Sequence, residues 1–301
     1  MRNIIVMDAP SNLGLRPPAP GTVPGCYKLA GALRDNGIVS RLGALEGGVV
    51  VPPRYDRGDW HEGDGVFNAR AIAAYTRTLA DRIEAQVSAG HFTVVLGGDC
   101  SIQLGAALAL RRLGRYGLAS IDASPDFRHP GTSDRIGAAG GEELALATGR
   151  GQDDLTDIEG LRPYLRDEDV RLFGTRDAFE DDADVAELRR LGVPVTTVSD
   201  LRRTDPAGLG AAAAAGLAAG ALDGFWVHLD ADVLDPTVMP AVDSPDPDGL
   251  LPGELTALLR PLVRFPHCVG INITIYDPDL DPDGSAGTLL TDLLVAAFAT
   301  D

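Results

Sequence analysis

Carboxylates recur at the ends of apolar runs in this chain. Three segments share one design, a strand-like run that stops in Asp. The first is Val94 to Leu96 followed by Gly97, Gly98, Asp99, Cys100 and Ser101. The second is Leu118 to Ile121 followed by Asp122, Ala123, Ser124, Pro125 and Asp126. The third is Val227, His228, Leu229, Asp230, Ala231 and Asp232, running on to Asp235 and Pro236. Asp is a poor strand former and is costly to bury unpaired. Spacing of i and i+2 puts Asp230 and Asp232 on one face of an extended chain, with His228 on that face too. Asp122, Ser124 and Asp126 repeat the spacing, with Pro125 ending the strand. Carboxylates that converge at strand ends repel one another unless a cation sits among them. Hard oxygen donors suit Mn²⁺, Mg²⁺ or Ca²⁺, and a Cys donor moves the preference toward Zn²⁺ or Fe²⁺. Each segment also has a plainer reading: Asp99 can N-cap the helix that follows, and Cys100 can be a small buried thiol. Three such clusters in one chain favour a shared acidic site.

The elements that must position these groups are visible as a rhythm. Short apolar runs, at Asn3–Met7, Thr93–Leu96, Gly117–Ile121, Val170–Phe173, Val193–Val198, Phe225–Leu229 and Cys268–Ile275, lack strict polar alternation, as strands buried on both faces should. Helix-length segments lie between them: Asn68–Ser88, Ser101–Leu113, Asp181–Leu191, Gly208–Leu222, Pro252–Leu262 and Leu289–Thr300. This βαβα alternation predicts an α/β fold, a three-layer α/β/α sandwich around a mainly parallel sheet, with residues 1–301 as one domain. The Ala-rich stretch Ala211–Ala221 reads as a tightly packed helix, and the G-x-G-x-x-A at Gly208 falls inside it, so it reads as helix packing. Two Pro/Gly-rich segments, Pro10–Gly25 and Pro236–Gly253, are loops that follow strands, where such folds carry function. Asp277–Asp283 reads as a capped turn, and the pairs Asp153–Asp154 and Asp181–Asp182 as solvated faces.

Composition excludes other classes. The 301 residues carry 44 Asp+Glu against 26 Lys+Arg, a net charge of −18, so neither a nucleic-acid backbone nor an anionic membrane is a fitting partner. Apolar content of 45% supports a real core, and the apolar runs are broken well before the length of a membrane span. Cys26, Cys100 and Cys268 are odd in number and far apart, which argues against a disulfide framework. With an N-terminal run that lacks a signal-peptide layout, the expected compartment is the cytoplasm.

Together the Gly97-Gly98-Asp99 turn, the Asp122/Asp126 motif, Gly174-Thr175-Arg176-Asp177, and Asp230-Ala231-Asp232 with Asp235-Pro236, Pro240-Ala241 and Gly249-Leu250 resemble the ureohydrolase family of arginases and agmatinases, over most of the chain. That resemblance implies the arginase-like fold, a binuclear Mn²⁺ centre whose hydroxide attacks a guanidinium carbon to release urea, a small-molecule substrate, and a trimeric or hexameric homo-oligomer. By match, one metal would see Cys100, Asp122, Asp126 and Asp230, and the other Asp122, Ser124, Asp230 and Asp232, with Asp126 orienting the attacking hydroxide.

Departures from the family pattern fall on nitrogen and substrate ligands. The motif GGDH reads Gly-Gly-Asp-Cys here, and DAHxD reads Asp-Ala-Ser-Pro-Asp, so Cys100 and Ser124 stand where relatives carry His. Cys at the first position also occurs in a subset of the family, including an enzyme that cleaves N-hydroxyarginine. A Ser hydroxyl is a poor donor, so the second metal site is expected to be weak or empty unless His129 or His228 supplies a nitrogen. The family's guanidinium-holding Glu position carries Ile275, the second Asp of R-D-x-D is Phe179, and the proton-shuttle His has no counterpart in Gly131–Gly141. The resemblance therefore implies a hydrolase of small guanidino or amidino compounds other than free arginine, its pocket meeting Tyr276, Thr274, Asp243, Ser244, His129 and the Pro10–Gly25 loop. One or two divalent metals per chain are expected, Mn²⁺ first, with Zn²⁺ or Fe²⁺ open because of Cys100. The competing expectation is a metal-poor relative that uses the pocket for binding or for an altered biosynthetic reaction.

Overall fold

The computed structural model describes residues 3–299. Met1, Arg2, Thr300 and Asp301 lie outside the described residues, and with them the ends of the expected 1–301 domain and of the expected Leu289–Thr300 helix. Eight parallel strands form one sheet: β1 (Ile4–Asp8), β2 (Leu45–Val49), β3 (Phe92–Leu96), β4 (Tyr116–Ile121), β5 (Val170–Thr175), β6 (Val195–Thr197), β7 (Gly224–Asp230) and β8 (Cys268–Thr274), in the order β2-β1-β3-β8-β7-β4-β5-β6. Seven of them match the apolar runs. β2 was not expected, because its sequence Leu-Glu-Gly-Gly-Val is an edge strand with mostly exposed residues and no apolar run to reveal it.

Two apolar cores flank the sheet, and the strands feed them alternately. Val94 and Leu96 of β3, Ile121 of β4, and Phe225, Val227 and Leu229 of β7 face the first core; Val95, Leu118 and Trp226 face the second. The first is closed by the helices Leu29–Asp35, Pro206–Ala218, Pro252–Val263 and Ser285–Phe298, the second by Ala69–Ser88, Gln103–Leu113 and Glu143–Ala147. This is the expected three-layer α/β/α arrangement. The helix expected at Gly208–Leu222 runs from Pro206 to Ala218 and buries only Gly210, Ala214 and Leu217. Its alanines are therefore mostly a solvent face, not the tightly packed helix that composition implied. Gly210 does bear out helix packing: an added Cβ would lie 2.3 Å from the Leu258 carbonyl of the neighbouring helix.

The four strands β3, β8, β7 and β4 are consecutive neighbours in the middle of the sheet. Cys100, Thr274, Asp230 and Asp122 lie at or just past their C-terminal ends. Open parallel sheets bind ligands at this edge, where the strand order reverses.

Candidate metal centre

Turns built by the acids themselves shape the centre. Asp99 accepts the Ser101 N–H at 2.9 Å and the Ser11 hydroxyl at 2.7 Å, so it caps the turn into the next helix and anchors the Pro10–Gly25 loop. Gly98 beneath it is obligatory: a Cβ there would sit 1.7 Å from the Ser11 carbonyl oxygen. Asp122 Oδ1 accepts the Ser124 N–H at 2.7 Å, and Asp230 Oδ1 accepts the Asp232 N–H at 2.8 Å. In each case one carboxylate oxygen orders the chain and leaves the other for chemistry.

Two residues hold unusual backbone angles at this edge. Asp126 has φ +42° and Ile275 has φ +75°. The Ile275 N–H is fixed to the Gly98 carbonyl at 2.8 Å, while the next N–H, from Tyr276, closes on the Thr274 carbonyl at 2.9 Å. A β-branched residue at positive φ is a strained conformation of the kind that collects at functional sites.

Ligand atoms of Asp122, Asp126 and Asp230 lie within 4.8 Å of one another, as do those of Cys100, His228 and Asp230, and those of Asp122, Glu143 and His228. All six residues but Asp126 are at most 2% exposed. Burial, then the neighbouring acids, pushes the carboxyls of Asp122, Asp126, Asp230 and Glu143 well above the usual range. Burial and Asp230 likewise raise the Cys100 thiol, whose Sγ lies 2.7 Å from Asp230 Oδ2 and 3.2 Å from Thr274 Oγ1. Of the first family-matched set, Asp122, Asp126 and Asp230 thus converge, and Cys100 meets them at Asp230. In the second set the Ser124 hydroxyl accepts the Asp126 N–H at 3.3 Å, and Asp232 gives Oδ1 to the Ala123 N–H at 3.3 Å while its carboxyl stays beside Asp230.

Neither candidate histidine supplies a free nitrogen lone pair. His129 Nδ1 accepts the Gly131 N–H at 3.1 Å, which leaves the ring proton on Nε2, facing Glu187 at 3.3 Å. His228 has its tautomer fixed from behind. The Trp226 indole N–H can only donate, and it meets Asn272 Oδ1 at 2.7 Å. Asn272 Nδ2 therefore donates to His228 Nδ1, 2.7 Å away, and the neutral ring carries its proton on Nε2. Burial lowers the His228 pKa to about 4, so this neutral form holds at pH 7. Nε2 points toward Asp122 Oδ2 at 3.8 Å as a donor.

The remaining sites expected to meet substrate are spread around this centre. Thr274 lies under Cys100. Asp243 and Ser244 are on the loop that follows β7, where desolvation by the surrounding protein, and then Asp232, push the Asp243 carboxyl up to about 6. Tyr276 is buried and donates its hydroxyl to Asp281 at 2.7 Å, turned toward the helix Ser285–Phe298. Arg176 is buried and donates to the carbonyls of Asp232, Val233 and Leu234, holding the chain after β7 in place. Phe179 lines a separate cavity of 320 Å³ with Asp177, Ser199 and Asp246. Glu143 is the one residue of the centre that sequence reasoning missed.

The fold and the acidic edge agree with what the chain is similar to. The profile of the Arginase family matches residues 43–300. The arginase of Bacillus caldovelox is 28% identical over 99% of this chain and 98% of its own length. The N(omega)-hydroxy-L-arginine amidinohydrolase of Streptomyces lavendulae is 29% identical over 90% of this chain and 92% of its own. The crystal structure of the Bacillus caldovelox arginase superposes with a TM-score of 0.87 at 26% identity, covering 100% of this chain and 99% of that one. These are hydrolases of the arginase family, and this chain belongs to that family.

The donor set fits a divalent cation. Asp122 Oδ2 and Glu143 Oε2 are buried without any hydrogen-bond partner, and the nearby buried Arg176 gives its donors to backbone carbonyls and not to these acids. Among the described residues no helix is long and apolar enough to cross a membrane, and Cys26, Cys100 and Cys268 are buried.

Proposed function

We propose that this protein is a metal-dependent amidinohydrolase that opens a C–N bond of a small guanidino or amidino compound other than free arginine. The observation that carries this reading is the convergence of Asp122, Asp126 and Asp230 beside Cys100. These four residues would hold the cation. When bound, a divalent cation lowers the pKa of water from about 15.7 toward 7 and stabilises developing charge by several kcal/mol. Asp126, crowded by other acids, orients the attacking water and takes up its proton. The leaving nitrogen then receives that proton from the same carboxyl. Asp243, on the loop after β7, offers a carboxylate to the positive charge of an amidino group. At the end of β8, Ile275 is buried and apolar where a carboxylate would have to face a guanidinium, which supports a substrate other than arginine. The family resemblance supports a trimeric or hexameric assembly in the cytoplasm.

The test is metal content of protein purified without chelator, then release of urea or its analogue from a panel of guanidino and amidino compounds, with and without added Mn²⁺. Failure to bind Mn²⁺, Zn²⁺ or Fe²⁺ overturns the reading. Ser124 and Ile275 together support a second one, a binding protein or altered enzyme that keeps the pocket; hydrolysis by the unmodified chain excludes the binding protein.

A further inference from the structure

We propose that Glu143 is a ligand of the cation at this centre, standing in for the nitrogen donor missing at Ser124. The proposal rests on the metal-dependent reading above and adds a ligand that the family motifs do not contain. Glu143 opens the short helix Glu143–Ala147, set by the Leu144 N–H bonded to the Asp126 carbonyl at 3.2 Å. The rest of that helix, Leu144 to Ala147, is apolar and buried in the second core. Packing alone calls for another apolar residue at its head. A Glu there is 2% exposed, and among the described residues it forms no ion pair.

Its Oε2 atom has no hydrogen-bond partner, and neither do Asp122 Oδ2 and His228 Nε2. Ligand atoms of these three residues lie within 4.8 Å of one another. Unsatisfied buried polar atoms are costly, and three that converge from different elements mark a place for a missing partner. Two of the three are carboxylate oxygens. The third is an N–H donor by virtue of the Trp226–Asn272–His228 chain, so it serves as a hydrogen-bond donor to a ligating carboxylate and not as a ligand itself. Ligation through Nε2 would require Asn272 to turn over and would strand the buried Trp226 N–H. The cation on this side therefore sees oxygen donors, Asp122 and Glu143, which selects Mn²⁺ or Mg²⁺ over the softer metals that Cys100 favours.

The experiment compares the full-length wild type with E143Q, both stripped of metal and titrated with Mn²⁺. Stoichiometry is read by elemental analysis, affinity by calorimetry, and folding by thermal melts of the metal-free forms. A buried Glu that is merely protonated tolerates the isosteric Gln. A ligand does not: E143Q is expected to lose one Mn²⁺ per chain, or to bind it at least about tenfold more weakly. Wild-type stoichiometry and affinity in E143Q overturn the proposal and leave the hydrolase reading intact. A wild type that binds no Mn²⁺, Zn²⁺ or Fe²⁺ overturns both. Should E143Q not fold, E143D is titrated in its place; its shorter carboxylate is expected to weaken Mn²⁺ binding, and unchanged affinity again overturns the proposal.

Discussion

On the β3–β8 side of the acidic centre the groups around Cys100 answer one another. Cys100 Sγ meets Asp230 Oδ2 and Thr274 Oγ1, Asp230 Oδ1 holds the Asp232 N–H, and the Thr274 hydroxyl donates to the Leu229 carbonyl at 3.3 Å. On the β4 side, a similar number of buried groups leaves Asp122 Oδ2, Glu143 Oε2 and His228 Nε2 unanswered. Both sides are desolvated and acidic, so the difference lies in hydrogen bonding. The first side is self-sufficient as long as Cys100 keeps its proton, and a cation enters it only by displacing that proton. The second is open as it stands. On the proposed reading, departure from the family pattern does not delete half of a metal centre. It moves the softer donor to one half and leaves the other to carboxylates.

Asp122 belongs to both halves, and its substitution tests the comparison most severely. Asp122→Asn is expected to remove bound metal altogether and to lower kcat/KM by about 10³-fold or more, the equivalent of the several kcal/mol a cation supplies. Loss of only one metal with activity retained would show that the halves work independently. Cys100→Ser separates them instead. Zn²⁺ affinity is expected to fall by about 10- to 100-fold while Mn²⁺ binding changes little. In the Co²⁺-loaded protein the thiolate charge-transfer band should disappear with the sulfur. If Mn²⁺ binding falls as steeply as Zn²⁺ binding, the division into a soft and a hard half fails.

What could be read ahead of the structure depended on whether a residue's role was local. Strands buried on both faces announce themselves as apolar runs, and the Asp that ends each run is conspicuous because it is out of place there. Asp99 as a cap is equally local, since donor and acceptor lie two residues apart. Glu143 carries no such signal. It follows no strand, and an acid pair before Leu-Ala-Leu-Ala looks like the ordinary charged first turn of a helix. Only the tertiary fold shows that this turn is buried against Asp126. The fate of His228 is likewise settled between strands: alternation places it on the acidic face, but its tautomer depends on Asn272, its register partner on β8.

That relay has its own consequence. Asn272→Leu leaves the Trp226 N–H without an acceptor and frees His228 Nδ1. Denaturant unfolding of the metal-free form should show a loss of about 1–3 kcal/mol, the cost of a stranded buried donor. Nitrogen chemical shifts of the ring should report an Nε2-protonated His228 in the wild type and a mixed tautomer in the variant. A wild-type ring protonated on Nδ1 would return His228 to the list of possible ligands and would bring the two halves closer in character.

The smallest effect discriminates most finely. Ser124 stands at a family ligand position, yet its hydroxyl accepts the Asp126 N–H at 3.3 Å and its own N–H is held by Asp122. Both contacts are within the turn, so Ser124 acts on the path of the chain between two ligating acids. Ser124→Ala removes one long hydrogen bond and is expected to cost about 0.5–1 kcal/mol in unfolding free energy, with metal stoichiometry unchanged. A metal lost in Ser124→Ala would mean that the hydroxyl leaves the turn to coordinate, and the β4 half would then be built on the family plan after all. Unchanged metal content, set beside its loss in E143Q, assigns the role of the absent histidine to a residue nineteen positions further along the chain.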